Sequence, residues 1–172
     1  RSREAGGAMP PGEFVSLKHL LHEQRLVKSP AEIALMREAA NISAQAHIRA
    51  MQKCHAGCTE TQLEAELIYE FMRSGARHSA YPSIVGSGAN ACVLHYTDNT
   101  SILRGGELVL IDAGCEYQYY AADITRTFPV AGVFSPNQRA LYDIVLAANE
   151  AAIAQCRPGV PFNATHDAAI ST

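Results

Sequence analysis

The stretch LVLIDAGCEYQYYAADITRTFPV, residues 108–130, sets two aspartates, Asp112 and Asp123, into segments otherwise made of apolar or small residues. The run Leu108 to Ile111 predicts a buried strand and Tyr119 to Phe128 predicts its return, so the segment is expected to fold as an antiparallel hairpin. Opposed residues in a hairpin have position numbers with a constant sum. Asp112 opposite Asp123 makes that sum 235, with the tip between Tyr117 and Gln118 and a two-residue turn pairing 116 with 119. The carboxylates then face each other with Cβ atoms roughly 4.5–5.5 Å apart. Two unit charges about 5 Å apart in an effective dielectric of about 20 repel by roughly 3 kcal/mol. Either one carboxyl holds a proton, or a cation accepts oxygens from both. A structural alternative pairs one carboxylate with Arg126. Thr125 and Thr127 are expected on the Asp123 face, where their hydroxyls would orient ligating carboxylates.

Upstream, Ser29-Pro30-Ala31-Glu32 combines an N-cap serine, a proline at the first helical position and a capping-box glutamate. The helix it starts is expected over about 30–54, with Ile33, Met36, Ala40, Ser43, His47 and Ala50 on one face. Gly57 ends it. Thr59 and Gln62 cap a second helix with the stripe Leu63, Leu67 and Phe71, stopped at Gly75. From Ala80 short β-like pieces follow, including Ser83–Val85 and Cys92–Tyr96. Ser135-Pro136-Asn137-Gln138 then repeats the first helix start, predicting a helix over about 136–156 with the stripe Leu141, Ile144, Val145, Ala148 and Ala152. Both long helices are expected on one side of the sheet. Residues 1–26, with Gly6-Gly7, Pro10-Pro11 and the apolar stretch Phe14 to Leu21, read as a linker or the tail of a preceding domain. Residues 27–172 form the folded unit, whose second copy stops inside its second helix.

At 172 residues, 48% hydrophobic and 18% charged, the chain can bury one sizeable core. Its formal net charge of -3 and the lack of a Lys/Arg cluster argue against nucleic acid or an anionic membrane as a partner. No apolar run approaches the roughly 18 residues of a membrane span, and no hydrophobic signal region opens the chain. Five cysteines, Cys54, Cys58, Cys92, Cys115 and Cys156, are an odd number suited to free thiols in a reducing compartment, the cytoplasm. Cys54, His55 and Cys58 lack the second ligand pair of a structural zinc site and read as small thiols and a helix end. His95, in the expected strand Cys92–Tyr96, is the one histidine that should join the sheet of the aspartates. A lone strand histidine is otherwise a satisfied core residue.

The segments SIVGSGANACVLHYTDN and GELVLIDAGCEYQYYAADITRTFPVAGVFSPNQRALYDIVLAAN closely resemble the proline-specific aminopeptidases of the pita-bread metallopeptidase family. The resemblance spans about residues 26–172, and its most specific part is the pair of aspartates eleven positions apart within Asp-Ala-Gly and Asp-Ile-Thr-Arg-Thr. It implies an α/β (α+β) pita-bread (creatinase/aminopeptidase) fold, cut to about its first half. It also implies a site for two divalent metal ions, usually manganese, with Asp112 chelating one and Asp123 bridging both. His95 matches a histidine that contacts substrate and the reaction centre without being a main metal ligand. The family's other ligands, one histidine and two glutamates, come from a second half this sequence does not contain. The implied substrate is a peptide with proline in second position, and the implied intact protein is a homo-oligomer. The chain as written is expected to be inactive and to bind metal weakly, because two carboxylates supply at most four of the roughly six donors a hard cation prefers. Prolidases and methionine aminopeptidases resemble the same fold and spacing, and a non-catalytic binding module is the alternative of another class. The run Ile124 to Pro129 looks more like the proline-directed aminopeptidase branch.

Overall fold

In the computed structural model, residue 12 and residues 14–172 are described; the Gly6-Gly7 and Pro10-Pro11 breaks lie outside the described residues. Helix α1 (Lys18–Leu26) falls within the stretch the sequence reads as a linker and buries no residue. The helices α2 (Pro30–Lys53), α3 (Glu60–Arg73) and α4 (Pro136–Ala154) each open with a complete capping box, set by Ser29 with Glu32, Thr59 with Gln62 and Ser135 with Gln138. A last helix, α5 (Asn163–Ile170), packs on α4. Each box closes within four consecutive residues. The repeated helix start is therefore real at the level of hydrogen bonds.

Leu63, Leu67 and Phe71 of α3 are fully buried, as their spacing predicts. The buried stripe of α2 is Ala39, Ile42, Ser43, Ala46, His47 and Ala50. Ser43, His47 and Ala50 lie on it as expected, while the earlier part of the expected face does not, since Ala40 is exposed and Ile33 and Met36 are 41% and 39% exposed. Small residues lie all around α2, so their periodicity leaves the helix rotation open. A polar contact decides it: the Ser43 hydroxyl accepts from the Cys115 N–H at 3.0 Å.

Among the described residues six short strands form two antiparallel three-stranded sheets. They are β1 (His78–Ser79), β2 (Ile84–Ser87), β3 (Leu108–Ala113), β4 (Cys115–Tyr117), β5 (Tyr120–Ala121) and β6 (Ile124–Pro129). One sheet has the order β2-β3-β6 and the other β1-β4-β5. The hairpin runs through both and changes sheet at Gly114. A Cβ there would lie 1.8 Å from the Ala122 carbonyl oxygen, so only glycine permits the close crossing. Val109, Ile111 and Ala113 of β3 point into the core with α2 and α3, while Leu108, Leu110 and Asp112 occupy the other face.

The hairpin register differs from the expected one by one position on each strand. Tyr117 pairs with Tyr120 and Glu116 with Ala121, giving a constant of 237, which continues through Asp112 opposite Thr125. The turn residues are Gln118 and Tyr119, both at positive φ, 48° and 71°, as a primed two-residue turn requires. Tyr117 packs against the core, which keeps it in a strand and moves the turn outward by one residue. The Glu116 carboxylate accepts from the Tyr119 N–H at 2.9 Å and braces that turn. Asp112 and Asp123 are therefore diagonal neighbours, not direct opposites.

Cys92–Tyr96 is not a strand. Gly88–Cys92 forms a short 3₁₀ helix and His95 sits in a turn at φ 57°. The cause is one fully buried carboxylate, Glu60, in the first turn of α3. Its Oε1 accepts from the Ser87 N–H at 2.7 Å, the Ser87 hydroxyl at 2.8 Å and the Asn90 amide at 3.1 Å. Its Oε2 accepts from the Tyr96 phenol at 2.8 Å and the Ser101 N–H at 2.9 Å. Donors from both ends of 87–101 converge on one point, so the segment must loop around it. Asn99, also buried, adds a second tie by accepting from the Val85 N–H and donating to the Ser83 carbonyl.

The expectation that both long helices cover one side of the sheet holds for α2 alone. Helix α4 buries no residue, and Leu141, Ile144 and Val145 of its apolar stripe are about 60% exposed. Helices α2 and α3 already cover the core face, and the Gln138 amide of α4 donates to the Gly106 carbonyl.

Two outcomes are expected from this architecture. Gly114→Ala should cost about 1–3 kcal/mol or more through forced overpacking, read as a lower urea midpoint. The second concerns Glu32, whose carboxyl accepts from the Tyr120 phenol at 2.7 Å and so joins the start of α2 to the hairpin. The Tyr120 bond first, and Ser29 second, hold Glu32 down to about 2 from an ordinary 4.5. A depressed carboxylate stabilises above its unfolded value, and this contribution is lost as pH falls from about 4.5 through about 2. Thermal melts across that window should show the difference between the parent and Glu32→Gln shrinking with acid.

Candidate metal centre

Asp112 reaches the site from the non-core face of β3, between Ile84 of β2 and Thr125 of β6. Asp123 lies at the sheet change, outside strand pairing and directly before β6. Freed from the ladder, its side chain turns to the same phenol that Asp112 meets. Tyr81 Oη lies 2.6 Å from Asp112 Oδ1 and 2.9 Å from Asp123 Oδ1. Both carboxylates thus stand on one face, within the span of a single bridging oxygen. The expected convergence of the pair is present, although its geometry is diagonal.

One phenol carries one proton. Burial first, then the bonds to Asp112 and Asp123, push the Tyr81 phenol far above the ordinary tyrosine value. Tyr81 is therefore a donor, and it serves one carboxylate at a time. The second carboxylate faces its neighbour without a donor from Tyr81. Neither Thr125 nor Thr127 supplies one: among the described residues their hydroxyls make no hydrogen bond to either aspartate, which corrects the orienting role expected of them. Arg126 donates to the Thr125 carbonyl at 2.7 Å and does not pair with the carboxylates.

A cavity of about 380 Å³ opens over the pair, lined by Tyr81, Pro82, Ile84, His95, Thr97, Asp112 and Asp123. His95 reaches it from the loop organised by Glu60, and no other histidine lines it. The structure therefore brings all three expected residues to one place, His95 by a turn and not by a strand. Tyr81 was missed by sequence reasoning; its only sequence signal is a tyrosine before a proline at the start of a strand region. Glu60 was missed too, because an acidic residue in the first helical turn is ordinary.

Two hard carboxylates on one edge of a cavity suit a cation that prefers oxygen. Among the described residues, however, no third His, Cys, Asp or Glu completes a ligand cluster. The pair fits one edge of a metal centre and does not enclose one. A second cavity, of about 390 Å³ by Lys53, His55, Cys58 and Glu66, lacks convergent acids. Burial first, and Cys58 second, push the Cys54 thiol up to about 11, and Cys58 lies in the hydrophobic core with Cys54 packed against it. The reading of Cys54 and Cys58 as small thiols stands.

The chain has close relatives. It is 54% identical over 149 residues to the Xaa-Pro aminopeptidase of Escherichia coli, covering 87% of this chain and 34% of that protein. An aminopeptidase structure from Pseudomonas aeruginosa superposes with a TM-score of 0.90 at 55% identity, covering 98% of this chain and 38% of the other. Zinc-substituted E. coli aminopeptidase P in complex with product matches with a TM-score of 0.84 at 52% identity, covering 92% and 36%. The fold is thus the aminopeptidase P fold in part, and the chain spans about a third of the length of the curated relatives it matches. The description of metallopeptidase family M24 matches residues 34–172. Because this whole stretch carries the match, and not the hairpin alone, the chain belongs to metallopeptidase family M24.

Proposed function

We propose that this chain is the part of an Xaa-Pro aminopeptidase that supplies Asp112 and Asp123 to a centre of two divalent cations, manganese in our reading, and His95 to the substrate. The observation that carries the proposal is the meeting of both carboxylates on Tyr81 in the lining of a cavity that His95 also lines. The substrate is a peptide with proline in second position, in keeping with the names of its relatives. Residues 27–172 form the catalytic part, and residues 1–26 a linker or tail. Exposed Leu20, Leu21 and Leu26 on α1 support that division. The five cysteines are free, which supports a cytoplasmic setting.

When bound, divalent cations supply the charge that activates a water for attack on the carbonyl before proline and steadies the developing oxyanion. Asp112 and Asp123 hold that charge in place from one face of the hairpin. Tyr81 orients the carboxylates with its single proton. His95, which lines the same cavity, contacts the peptide. Pro82 and Ile84 give the cavity an apolar side that suits a proline ring.

Calorimetric titration of the 172-residue chain with manganese should show weak, exchangeable binding that Asp123→Ala abolishes, because two carboxylates leave most positions of a six-coordinate ion to water. In the full-length protein carrying this segment, Asp123→Ala should lose nearly all turnover of a tripeptide with proline in second position. His95→Ala should keep the metal and lower turnover. Cleavage of dipeptides alone would point instead to a prolidase, and equal metal loss in both variants would remove His95 from its role at the substrate.

A further inference from the structure

We infer that Glu60 is a positioning residue for the proposed site, holding His95 at the cavity through the loop that carries it. This rests on the reading of His95 as a substrate contact. Every side-chain and backbone donor on the Glu60 carboxylate belongs to residues that bracket His95 in sequence: Ser87 and Asn90 before it, Tyr96 and Ser101 after it. Tyr96 is the next residue along the chain and donates to Oε2 at 2.8 Å. His95 itself is exposed and held at φ 57°, a left-handed conformation uncommon outside glycine that histidine adopts more readily than most residues. Among the described residues His95 makes no hydrogen bond of its own, and the ties on this turn run through its neighbours.

The charge of Glu60 suits this task. An ionised carboxylate is acceptor-only, with about four lone-pair sites on two oxygens, and the donors here divide between Oε1 and Oε2 so that both ends of the loop are tied. Among the described residues no cation pairs with it, but its place in the first turn of α3 favours a negative charge. Burial pushes its carboxyl up, and the Ser87 and Ser101 N–H groups with Tyr96 and Asn90 more than reverse that, so it lies below the ordinary range. Glutamine keeps the size and loses the function, because its amide presents a donor where Tyr96 and Ser101, or Ser87, need an acceptor.

The test follows the His95 and Tyr81 rings by NMR in the 172-residue chain, without metal and with added manganese chloride, whose paramagnetism broadens nearby resonances. Glu60→Gln should shift the metal-free His95 ring resonance and cause loss of its manganese broadening. The Tyr81 broadening and the Ile42 methyl resonances of the core should stay in place, a separation that general destabilisation would not produce. Tyr96→Phe removes a single donor and should give the same changes to a smaller degree; it decides the matter if Glu60→Gln does not fold. An unmoved His95 ring in folded variants would overturn the inference. If manganese broadens neither ring in the parent chain, the metal reading fails by itself, and the metal-free His95 shift still decides the role of Glu60.

Discussion

The close crossing at Gly114 is the constraint from which the site geometry follows. With a Cβ excluded by the Ala122 carbonyl, the two strands of the hairpin can approach, bend and pass from one sheet into the next. On one side of the bend β3 pairs with both β6 and β2; on the other β4 pairs with both β5 and β1. Asp123 sits at the bend, where it has no ladder to serve. A straight hairpin would hold its side chain perpendicular to the sheet beside Thr125. At the bend it can lean back to the oxygen that Asp112 already contacts.

The fold treats its carboxylates in two opposite ways. Glu60 is sealed from water and receives donors on both oxygens, so its charge is spent on structure. Asp112 and Asp123 share one phenol proton, so part of their charge remains unanswered at the wall of a cavity. A buried acid that is fully satisfied organises its surroundings. A close pair that is not satisfied is poised to receive a cation. The two arrangements are linked, since the loop wrapped around Glu60 is the one that brings His95 to the pair.

The repeated helix start carries a different lesson. Helices α2 and α4 begin with the same capping chemistry, yet α2 is buried along one face and α4 buries nothing. A cap is a local device that says where a helix starts. It carries no information about what the helix will pack against. The apolar stripe on α4 was visible as periodicity, but Leu141, Ile144 and Val145 of it stay exposed.

Helix starts, helix stops, the core stripe of α3 and the presence of a two-aspartate hairpin were legible in the sequence because each depends on residues a few positions apart. The capping serine and its glutamate are three residues apart, and Gly57 and Gly75 follow the last residues of α2 and α3 by four and two positions. The rotation of α2, the register, Tyr81 and Glu60 were not legible, because each depends on contacts between distant positions. Ser43 meets Cys115 at a separation of 72 residues, Tyr81 meets Asp123 at 42 and Glu60 meets Ser101 at 41. The expected register failed by one position because the packing of Tyr117 against the core outweighed the local preference for where the turn should fall. The sequence by itself determined that two carboxylates would share one face of a hairpin. Only the tertiary structure decided that they meet diagonally on Tyr81 with His95 beside them, because a bend at one glycine and a loop wound about one buried charge are set by long-range packing and hydrogen bonding.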